Sequence, residues 1–394
     1  MKVAVVAAGR YWAGELARAL HRRGCLAGLY TADPRPQPGI PQALVHRFPW
    51  AHLPLWWAQR RGFAGLARLA AWPAAVAFDR WASRSLASAD AVVALAGFGL
   101  HTLRAARRRY RALTVCDRGS THILAQAERL HAAAARYALP YRGPTHGLIR
   151  RELAEYDEAD LITVPSRGAW RSFRCRGVPE HRLARVPFGV DLARFSPDPA
   201  VPRPGHSSDP FRVLYVGQMS IRKGLPDLLA ALAPHHGRDL DLALVGGMLP
   251  EVRPVFHHYR GQYRWLGHHP EHRLVEQYRQ ASVVVLASVE EGLARVLLQA
   301  LACGVPLVAT DATGAPDIIS DEVEGFIVPA GQPAALRERV LRLHRDPQLR
   351  GQMAQAARRR AQALGDWDAY GSRAHAAYRA ARNQRCVPLD QRLL

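Results

Sequence analysis

Short apolar runs that alternate with amphipathic stretches most constrain how this chain can fold. Strand-like runs recur in both halves of the sequence, and stretches with helical spacing lie between them, at residues 14–22, 226–233, 273–280 and 295–301. The apolar runs are residues 3–8, 91–96, 113–116, 161–164, 213–216, 242–245, 283–286 and 306–309. Runs that are apolar at every position are typical of strands buried on both faces, as in parallel sheets covered by helices. The sequence therefore predicts an α/β protein.

The strands fall into two series, which indicates two domains. A proline-rich, polar segment at residues 196–210 separates the series and has the composition of a linker. A length of 394 residues also fits two domains at about 150 residues each.

Positive charge is concentrated in the first part of the chain. Residues 1–150 hold 22 Lys and Arg against 6 Asp and Glu, an excess of 16, and the remaining residues hold 32 against 27. The positive electrostatic potential of such a charge excess favours an anionic partner: nucleic acid, an acidic lipid surface or a phosphorylated substrate. Only two of the cations are lysines, Lys2 and Lys223. A lysine in so arginine-rich a chain is a candidate for a role that needs a compact point charge.

Several classes of protein are excluded or disfavoured by the sequence. No run approaches the roughly 18 uncharged apolar residues of a membrane span, and the apolar N-terminus lacks a cleavage region, so we expect a cytoplasmic protein. Five scattered cysteines without a CxxC pair indicate neither a disulfide framework nor a zinc site. The adjacent histidine pairs lack metal-site spacing, and we expect no metal. No nucleic-acid-binding signature accompanies the charge, so we expect no specific nucleic-acid partner, although a basic nucleic-acid-binding protein stays the alternative from another class.

The first candidate site is residues 214–224, where a strand ends at Gly217 and a helix begins near Pro226. Arg222 and Lys223 lie between the two. In α/β proteins ligands bind at the carboxyl ends of the strands. These two cations are therefore predicted to neutralise a diphosphate.

The second candidate site is residues 288–299. Ser288 and Glu291 have the spacing of a helix capping box, which gives Glu291 a purely structural interpretation. In the functional interpretation, Gly292 lets a ligand approach the first N–H groups of the following helix, whose positive end suits a phosphate. Glu291 would then accept hydrogen bonds from sugar hydroxyls, with Gln299 two turns further along the helix.

Together these segments resemble the Gly-x-x-x-x-x-Lys-Gly phosphate loop and the Glu-x7-Glu element of the retaining GT-B glycosyltransferases of family 4. Other segments similar to that family lie at residues 159–166, 186–197, 245–247, 266–268, 278–288, 302–306 and 325–328. The matches cover about residues 157–330, and in the first half the resemblance is only architectural. The resemblance implies two Rossmann-like domains facing a central cleft, and transfer of a sugar from a nucleotide diphosphate-sugar to a hydroxyl acceptor. Another GT-B enzyme, such as a sugar phosphorylase, is a further alternative.

The resemblance also implies how the chain is divided and how it reacts. Residues 1–185 would bind the acceptor, residues 186–365 the donor, and a helix at residues 366–385 would cross back to the first domain, followed by a tail at residues 386–394. The reaction would be a retaining, metal-independent transfer with no cofactor besides the nucleotide-sugar. Its product would belong to cell-envelope polysaccharide, lipopolysaccharide or glycolipid synthesis.

In the implied donor site, Lys223 and Arg222 hold the diphosphate, Glu291 positions the sugar and Gln299 faces the ribose. The other donor-binding residues implied are Gly9, Gly217, Gln218, Gly267, His268, Gly292, Leu293 and Ala294. Gln218 stands where the family usually has Arg, so Arg222 would supply that charge. Gln299 stands where the family has a second Glu, so its bond to a ribose hydroxyl would lack a charge-assisted component.

Two residues compete for the acceptor side of the site. Asp117 ends a strand, and His122 follows in a polar loop. In related enzymes a histidine near this strand tip contacts the donor sugar and the acceptor. The sequence leaves both residues as candidates.

Residues 50–84 interleave tryptophans with arginines. A stripe of this kind can lie on an anionic membrane, with the indoles at the level of the headgroups. The acceptor is then expected to be lipid-linked and the protein to be peripheral at the inner face of the membrane. Packing of an amphipathic helix on the first sheet explains the stripe equally well.

Overall fold

The computed structural model describes residues 1–9, 11–61, 63–141, 143–198 and 210–386. Most of the predicted linker, at residues 199–209, and the predicted tail beyond residue 386 lie outside these ranges.

The first half forms a seven-stranded parallel sheet. Its strands, in chain order, are β1 (Val3–Ala7), β2 (Leu26–Thr31), β3 (Val45–Arg47), β4 (Ala91–Leu95), β5 (Leu113–Asp117), β6 (Leu161–Val164) and β7 (Leu183–Arg185). They lie in the order β3-β2-β1-β4-β5-β6-β7, and every neighbouring pair is parallel. The helices are α1 (Ala13–Arg22), α2 (Leu53–Arg60), α3 (Ala64–Ser85), α4 (Leu100–Tyr110), α5 (Ile123–Arg136), α6 (His146–Glu158) and α7 (Arg167–Arg174).

The second half forms a six-stranded parallel sheet. Its strands are β8 (Arg212–Val216), β9 (Asp241–Val245), β10 (Arg264–Trp265), β11 (Val283–Leu286), β12 (Leu307–Thr310) and β13 (Gly325–Val328). They lie in the order β10-β9-β8-β11-β12-β13, again with parallel pairs only. The helices are α8 (Leu225–Leu232), α9 (Arg253–His258), α10 (Glu271–Arg279), α11 (Arg295–Ala302), α12 (Ala315–Ile318), α13 (Pro333–Arg345), α14 (Pro347–Leu364) and α15 (Trp367–Cys386).

The predicted α/β class with two parallel sheets is confirmed. All residues of β1, β4 and β11 are buried, as expected of strands covered by helices on both faces. Each of the eight predicted strands is present to within about one residue at either end. Because these strands are buried on both faces, they are apolar at every position, and such apolar runs can be recognised in the sequence.

The last helix, α15, leaves the second domain and packs on α1 of the first. The two helices approach closely at Gly371, since a Cβ atom there would lie 2.3 Å from Cβ of Ala19. Arg22 and Asp368 form an ion pair across the contact, with Nη2 and Oδ1 2.6 Å apart. The chain therefore joins its two domains a second time.

None of the helices formed by the described residues is long and apolar enough to cross a membrane.

Candidate functional site

A cavity of about 950 Å³ lies between the two domains. Its walls come from the segments that follow β1, β3, β4, β5 and β7 in the first sheet, with α2 and α3 among them, and from the segments that follow β8 and β11 in the second. The carboxyl ends of both parallel sheets therefore meet at one cavity, the usual place for ligands in α/β proteins. The predicted site residues among its lining are Gly9, Asp117, Arg222, Lys223, Glu291, Leu293 and Ala294.

The loop after β8 brings both predicted phosphate-binding cations to the cavity. It ends at Gly224, whose φ of +66° favours glycine and where a Cβ atom would lie 1.8 Å from the Ala287 carbonyl oxygen. This close approach ties the loop to the segment after β11. There Lys223 Nζ pairs with Glu291 Oε1, and Arg222 Nη2 lies 3.3 Å from Glu291 Oε2. One carboxylate thus holds both cations at the cavity wall.

Glu290 connects this cluster to the first domain. Its carboxylate is fully buried and accepts hydrogen bonds from the Ser120 hydroxyl at 2.6 Å and from the Thr121 hydroxyl at 2.7 Å. Arg222 Nε donates to it at 2.8 Å from the second domain. Burial alone would raise the pKa of Glu290, but the Arg222 charge and these hydrogen bonds lower it to about 2. The side chain is therefore an ionised link between the domains.

The helix after β11 begins later than a capping box at Ser288 would require. Its first residue is Arg295 and its N-cap is Ala294, whose side chain makes no capping bond. The capping-box interpretation of Glu291 is therefore wrong, because Glu291 precedes the helix and pairs with Lys223 instead. Arg295 and Val296 line the cavity. The first N–H groups of a helix have no partner within it, so the positive end of α11 faces the same space as the two cations.

Gly292 is predicted to leave room for a ligand, but in the structure it lies against the first domain. A Cβ atom there would lie 2.2 Å from the Gly119 carbonyl oxygen and 2.9 Å from Cγ of Pro165. The space that glycine leaves open is filled by the neighbouring domain's backbone rather than by a ligand. Gly292 does not line the cavity, and its small size permits the domains to meet.

The structure separates the two acceptor-side candidates. Asp117 lines the cavity and accepts hydrogen bonds from Trp12 Nε1 at 2.6 Å and from the Thr163 hydroxyl at 2.8 Å. Burial raises the pKa of Asp117 to about 6, against the lowering effect of these two hydrogen bonds. The carboxyl group therefore changes charge near pH 6.

His122 is buried away from the cavity lining. Its Nδ1 accepts a hydrogen bond from the Leu124 N–H and so caps α5. Its ring packs between Tyr156 and Phe173, with centroids 5.1 and 5.0 Å away. Burial, together with nearby arginine charges, lowers the pKa of His122 to about 4. In this structure the imidazole is a neutral helix cap.

Gln299 is buried, and its Oε1 accepts a hydrogen bond from the Tyr278 hydroxyl at 2.9 Å. Gly217 and Gly267 lie at the carboxyl edge of the second sheet, where Gly246 donates its N–H to the Gly267 carbonyl at 2.8 Å. Gln218 and His268 are exposed. None of these five predicted donor-binding residues lines the cavity.

Glu290, Ser120 and Arg118 are site residues that sequence reasoning missed. Arg118 also lines the cavity, and its Nη1 lies 3.0 Å from Oε1 of buried Glu152. The acidic doublet at residues 290–291 was visible in the sequence. That Glu291 holds the two cations and Glu290 links the domains could be seen only in the folded structure.

Within the described ranges, no three His, Cys, Asp or Glu side chains lie close enough to hold a metal ion together.

Comparison with known proteins agrees with this arrangement. Residues 200–360 match the family model of the glycosyl transferases group 1. Among curated proteins, the D-inositol 3-phosphate glycosyltransferase of Xylanimonas cellulosilytica is 31% identical over 214 residues, which cover 50% of each chain. The chain thus spans about half the length of the curated relatives that it matches.

Two solved structures share the fold over almost the whole chain. Sucrose-phosphate synthase from Thermosynechococcus elongatus aligns with a TM-score of 0.74 and 20% identity, covering 96% of this chain and 98% of that one. Anabaena Alr3699/HepE, in complex with UDP and glucose, aligns with a TM-score of 0.67 and 18% identity, covering 96% and 100%. The resemblance inferred from the motifs is confirmed: residues 200–360 match the model of the group 1 glycosyltransferases, within a chain that has the two-domain GT-B fold.

Proposed function

We propose that this protein transfers a hexosyl group, with retention of anomeric configuration, from a nucleotide diphosphate-sugar to a hydroxyl acceptor. The observation that carries the proposal is the convergence of Arg222, Lys223 and the positive end of α11 on one interdomain cavity. The match of residues 200–360 to the glycosyltransferase family supports it.

In the proposed reaction the donor diphosphate binds beside Arg222 and Lys223. The bond between the anomeric carbon and the β-phosphate oxygen breaks, and the acceptor oxygen bonds to the same face of that carbon. The acceptor proton passes to the departing diphosphate. Preorganised cations stabilise the negative charge that develops on this leaving group, and in our proposal they do so without a metal ion.

The carboxylates of the cluster have separate roles in this proposal. Glu291 keeps Lys223 at the cavity wall and positions the donor sugar. Glu290 orients Arg222 and holds the domains together. Asp117 lines the cavity from the first domain, and in this proposal it faces the acceptor.

The chain offers a matched pair of variants to test this assignment. Lys223→Ala should lower turnover roughly 100-fold or more, since loss of one preorganised group at a developing charge commonly costs about 3 kcal/mol. Lys2→Ala removes the only other lysine, which is exposed and donates to the Gly24 carbonyl, and should leave turnover unchanged. A thermal-shift panel of nucleotide diphosphate-sugars identifies the donor for the assay, because a ligand at 100 times its Kd stabilises by about 2.7 kcal/mol. Near-normal transfer by folded Lys223→Ala protein would overturn the diphosphate assignment.

We also propose that the first domain works at an acidic membrane surface on a lipid-linked acceptor. Seven of the ten large apolar side chains that are exposed in the described part of the chain come from one short region, residues 50–72. They are Trp50, Leu53, Trp57, Phe63, Leu66, Leu69 and Trp72. A contiguous exposed apolar surface is typical of an interaction site, and the excess of 16 positive charges over residues 1–150 favours acidic lipid.

Liposome flotation tests the membrane proposal. Recovery should depend on acidic lipid and fall with salt. Leu69→Glu places a charge on a side chain that is 73% exposed and should reduce recovery, whereas Val323→Glu, at a side chain 49% exposed in the second domain, should not. Equal recovery on neutral and acidic vesicles, or equal loss in both variants, would refute this part of the proposal.

A further inference from the structure

The helical hairpin formed by α2 and α3 has two apolar surfaces. Its outer face carries Leu53, Trp57, Leu66 and Leu69, with Trp50 just before α2 and Phe63 between the two helices, and all six side chains are exposed. Its inner face contributes Leu55, Trp56, Ala71, Trp72 and Ala75 to the lining of the interdomain cavity, and Ala71 and Trp72 are exposed there. We call these five side chains the apolar wall. The same cavity therefore has cations on the donor side and hydrocarbon and indole surface on the side of the hairpin.

The apolar wall belongs to well-packed elements of the first domain. Trp72 lies against α6, where a Cβ atom on Gly147 would be 3.6 Å from its ring. The Arg151 guanidinium lies 5.9 Å from the centre of the same ring. Arg151 is itself buried and pairs with Asp79 of α3. The inner face of the hairpin is thus tied to the core of the first domain.

The imidazole of His52 is a polar group beside the apolar wall. His52 is 5% exposed and lines the cavity beside Trp56, with ring centroids 5.9 Å apart. Its Nδ1 is buried and has no hydrogen-bond partner among the described residues. Burial lowers the pKa of His52, so the ring is neutral and offers one donor and one acceptor. A buried polar atom without a partner is costly, and an oxygen or hydroxyl of a bound ligand would satisfy it.

We infer that the apolar wall binds the hydrocarbon part of an amphiphilic acceptor, and that His52 hydrogen-bonds the polar atoms where that chain meets the headgroup. This inference rests on the proposed function, and it adds the residues that recognise the hydrocarbon part and the polar junction of the acceptor. The headgroup hydroxyl then points into the shared cavity, toward Asp117 and the donor side.

The position of the outer face favours a lipid as the source of this acceptor. Both faces are formed by α2 and α3 with the short segments that precede each helix, and the two helices pack on each other. A chain moving from a bilayer at the outer face to the apolar wall would remain in contact with apolar side chains. A soluble sugar acceptor would use neither surface.

Binding of 1-O-alkylglycerols to the full chain, measured by calorimetry below their micelle concentrations and without any donor, tests the inference. Affinity should rise about fourfold for each added methylene from hexyl to decyl, as expected for chains that leave water. Ala71→Trp, which fills the apolar wall at an exposed position, should remove this dependence. Ala77→Trp makes the same change at an exposed site of α3 that does not line the cavity, and should preserve it.

Equal affinity for all chain lengths would overturn the inference. Equal loss in both tryptophan variants would also overturn it, because the loss would then not depend on filling the cavity. His52→Phe should weaken binding roughly fivefold, as expected for the loss of one neutral hydrogen bond, and should leave the chain-length dependence unchanged. If the variant binds as tightly as the parent protein, His52 does not contact the ligand. No donor is present in any of these binding experiments. Their outcome is therefore independent of the Lys223→Ala assay, which tests the proposed function.

Discussion

Replacing Glu290 with glutamine tests whether a buried carboxylate holds the two domains together. The side chain is fully buried and receives hydrogen bonds from Ser120 and Thr121 on one domain and from Arg222 on the other. Glutamine keeps the shape but removes the charge, so the arginine loses an ionised partner. Its amide also brings a donor where the carboxylate only accepts.

The size of the effect follows from the titration of Glu290. Its pKa falls from a usual 4.5 to about 2 in the folded protein. At 1.36 kcal/mol per pKa unit, the ionised form contributes about 3 kcal/mol to the free energy of unfolding. A carboxylate with a lowered pKa stabilises the fold above its unfolded pKa, and this stability is lost as the pH falls from 4.5 to about 2. Glu290→Gln should therefore lower the free energy of unfolding by about 3 kcal/mol at pH 7 and by little near pH 2.

Equilibrium urea unfolding, followed by tryptophan fluorescence at pH 7 and at pH 2.5, measures both values. Glu322→Gln is the control, since Glu322 is likewise ion-paired, with two arginines at 3.2 and 2.9 Å, but is 52% exposed. Exposed ion pairs contribute about 0–1 kcal/mol. A Glu290→Gln variant as stable as its parent at pH 7, or equally destabilised at both pH values, would refute the domain-linking role.

Three further variants probe the neighbouring residues. Gln299→Leu deprives the buried Tyr278 hydroxyl of its acceptor and should cost about 1–3 kcal/mol of stability; an unchanged unfolding midpoint would contradict this. If Gln299 also faces the ribose, the same variant should weaken nucleotide binding in calorimetry. Gly292→Ala places a methyl group 2.2 Å from the Gly119 carbonyl and should reduce transfer at least 10-fold while both domains stay folded, whereas full activity would show that the domains need not meet there. Because the pKa of Asp117 is raised to about 6, its carboxylate forms as the pH rises through 6; transfer should rise with it, and Asp117→Asn should lack that step in its pH-rate profile.

The strands that the sequence revealed are those with continuous apolar runs. Others escaped detection for a physical reason. β2 (Leu26–Thr31) is interrupted by Gly28 and ends in the polar Thr31, while β3 and β10 have three and two residues and lie at sheet edges. Short edge strands need no apolar run, because solvent reaches one side of them.

The site was predictable where its signals are local in sequence. Lys223 was identified from its strand-loop-helix context and from the scarcity of lysine, and it lies at the cavity. Glu290 could not be assigned in this way, because its partners Ser120 and Gln126 are 170 and 164 residues away. The contact between Gly292 and Gly119 could not be predicted for the same reason, because the two residues are far apart in the sequence. Only the closure of one domain on the other creates these interactions.

The two lysines permit a direct test of the diphosphate site. Reductive methylation with ¹³C-formaldehyde labels Lys2, Lys223 and the N-terminal amine, and a Lys2→Arg variant assigns the two lysine signals. On titration with inorganic pyrophosphate and then with nucleoside diphosphates, the Lys223 signal should shift and saturate with the binding curve while the Lys2 signal stays fixed. Saturable binding of a nucleoside diphosphate that leaves the Lys223 signal unmoved would contradict the account.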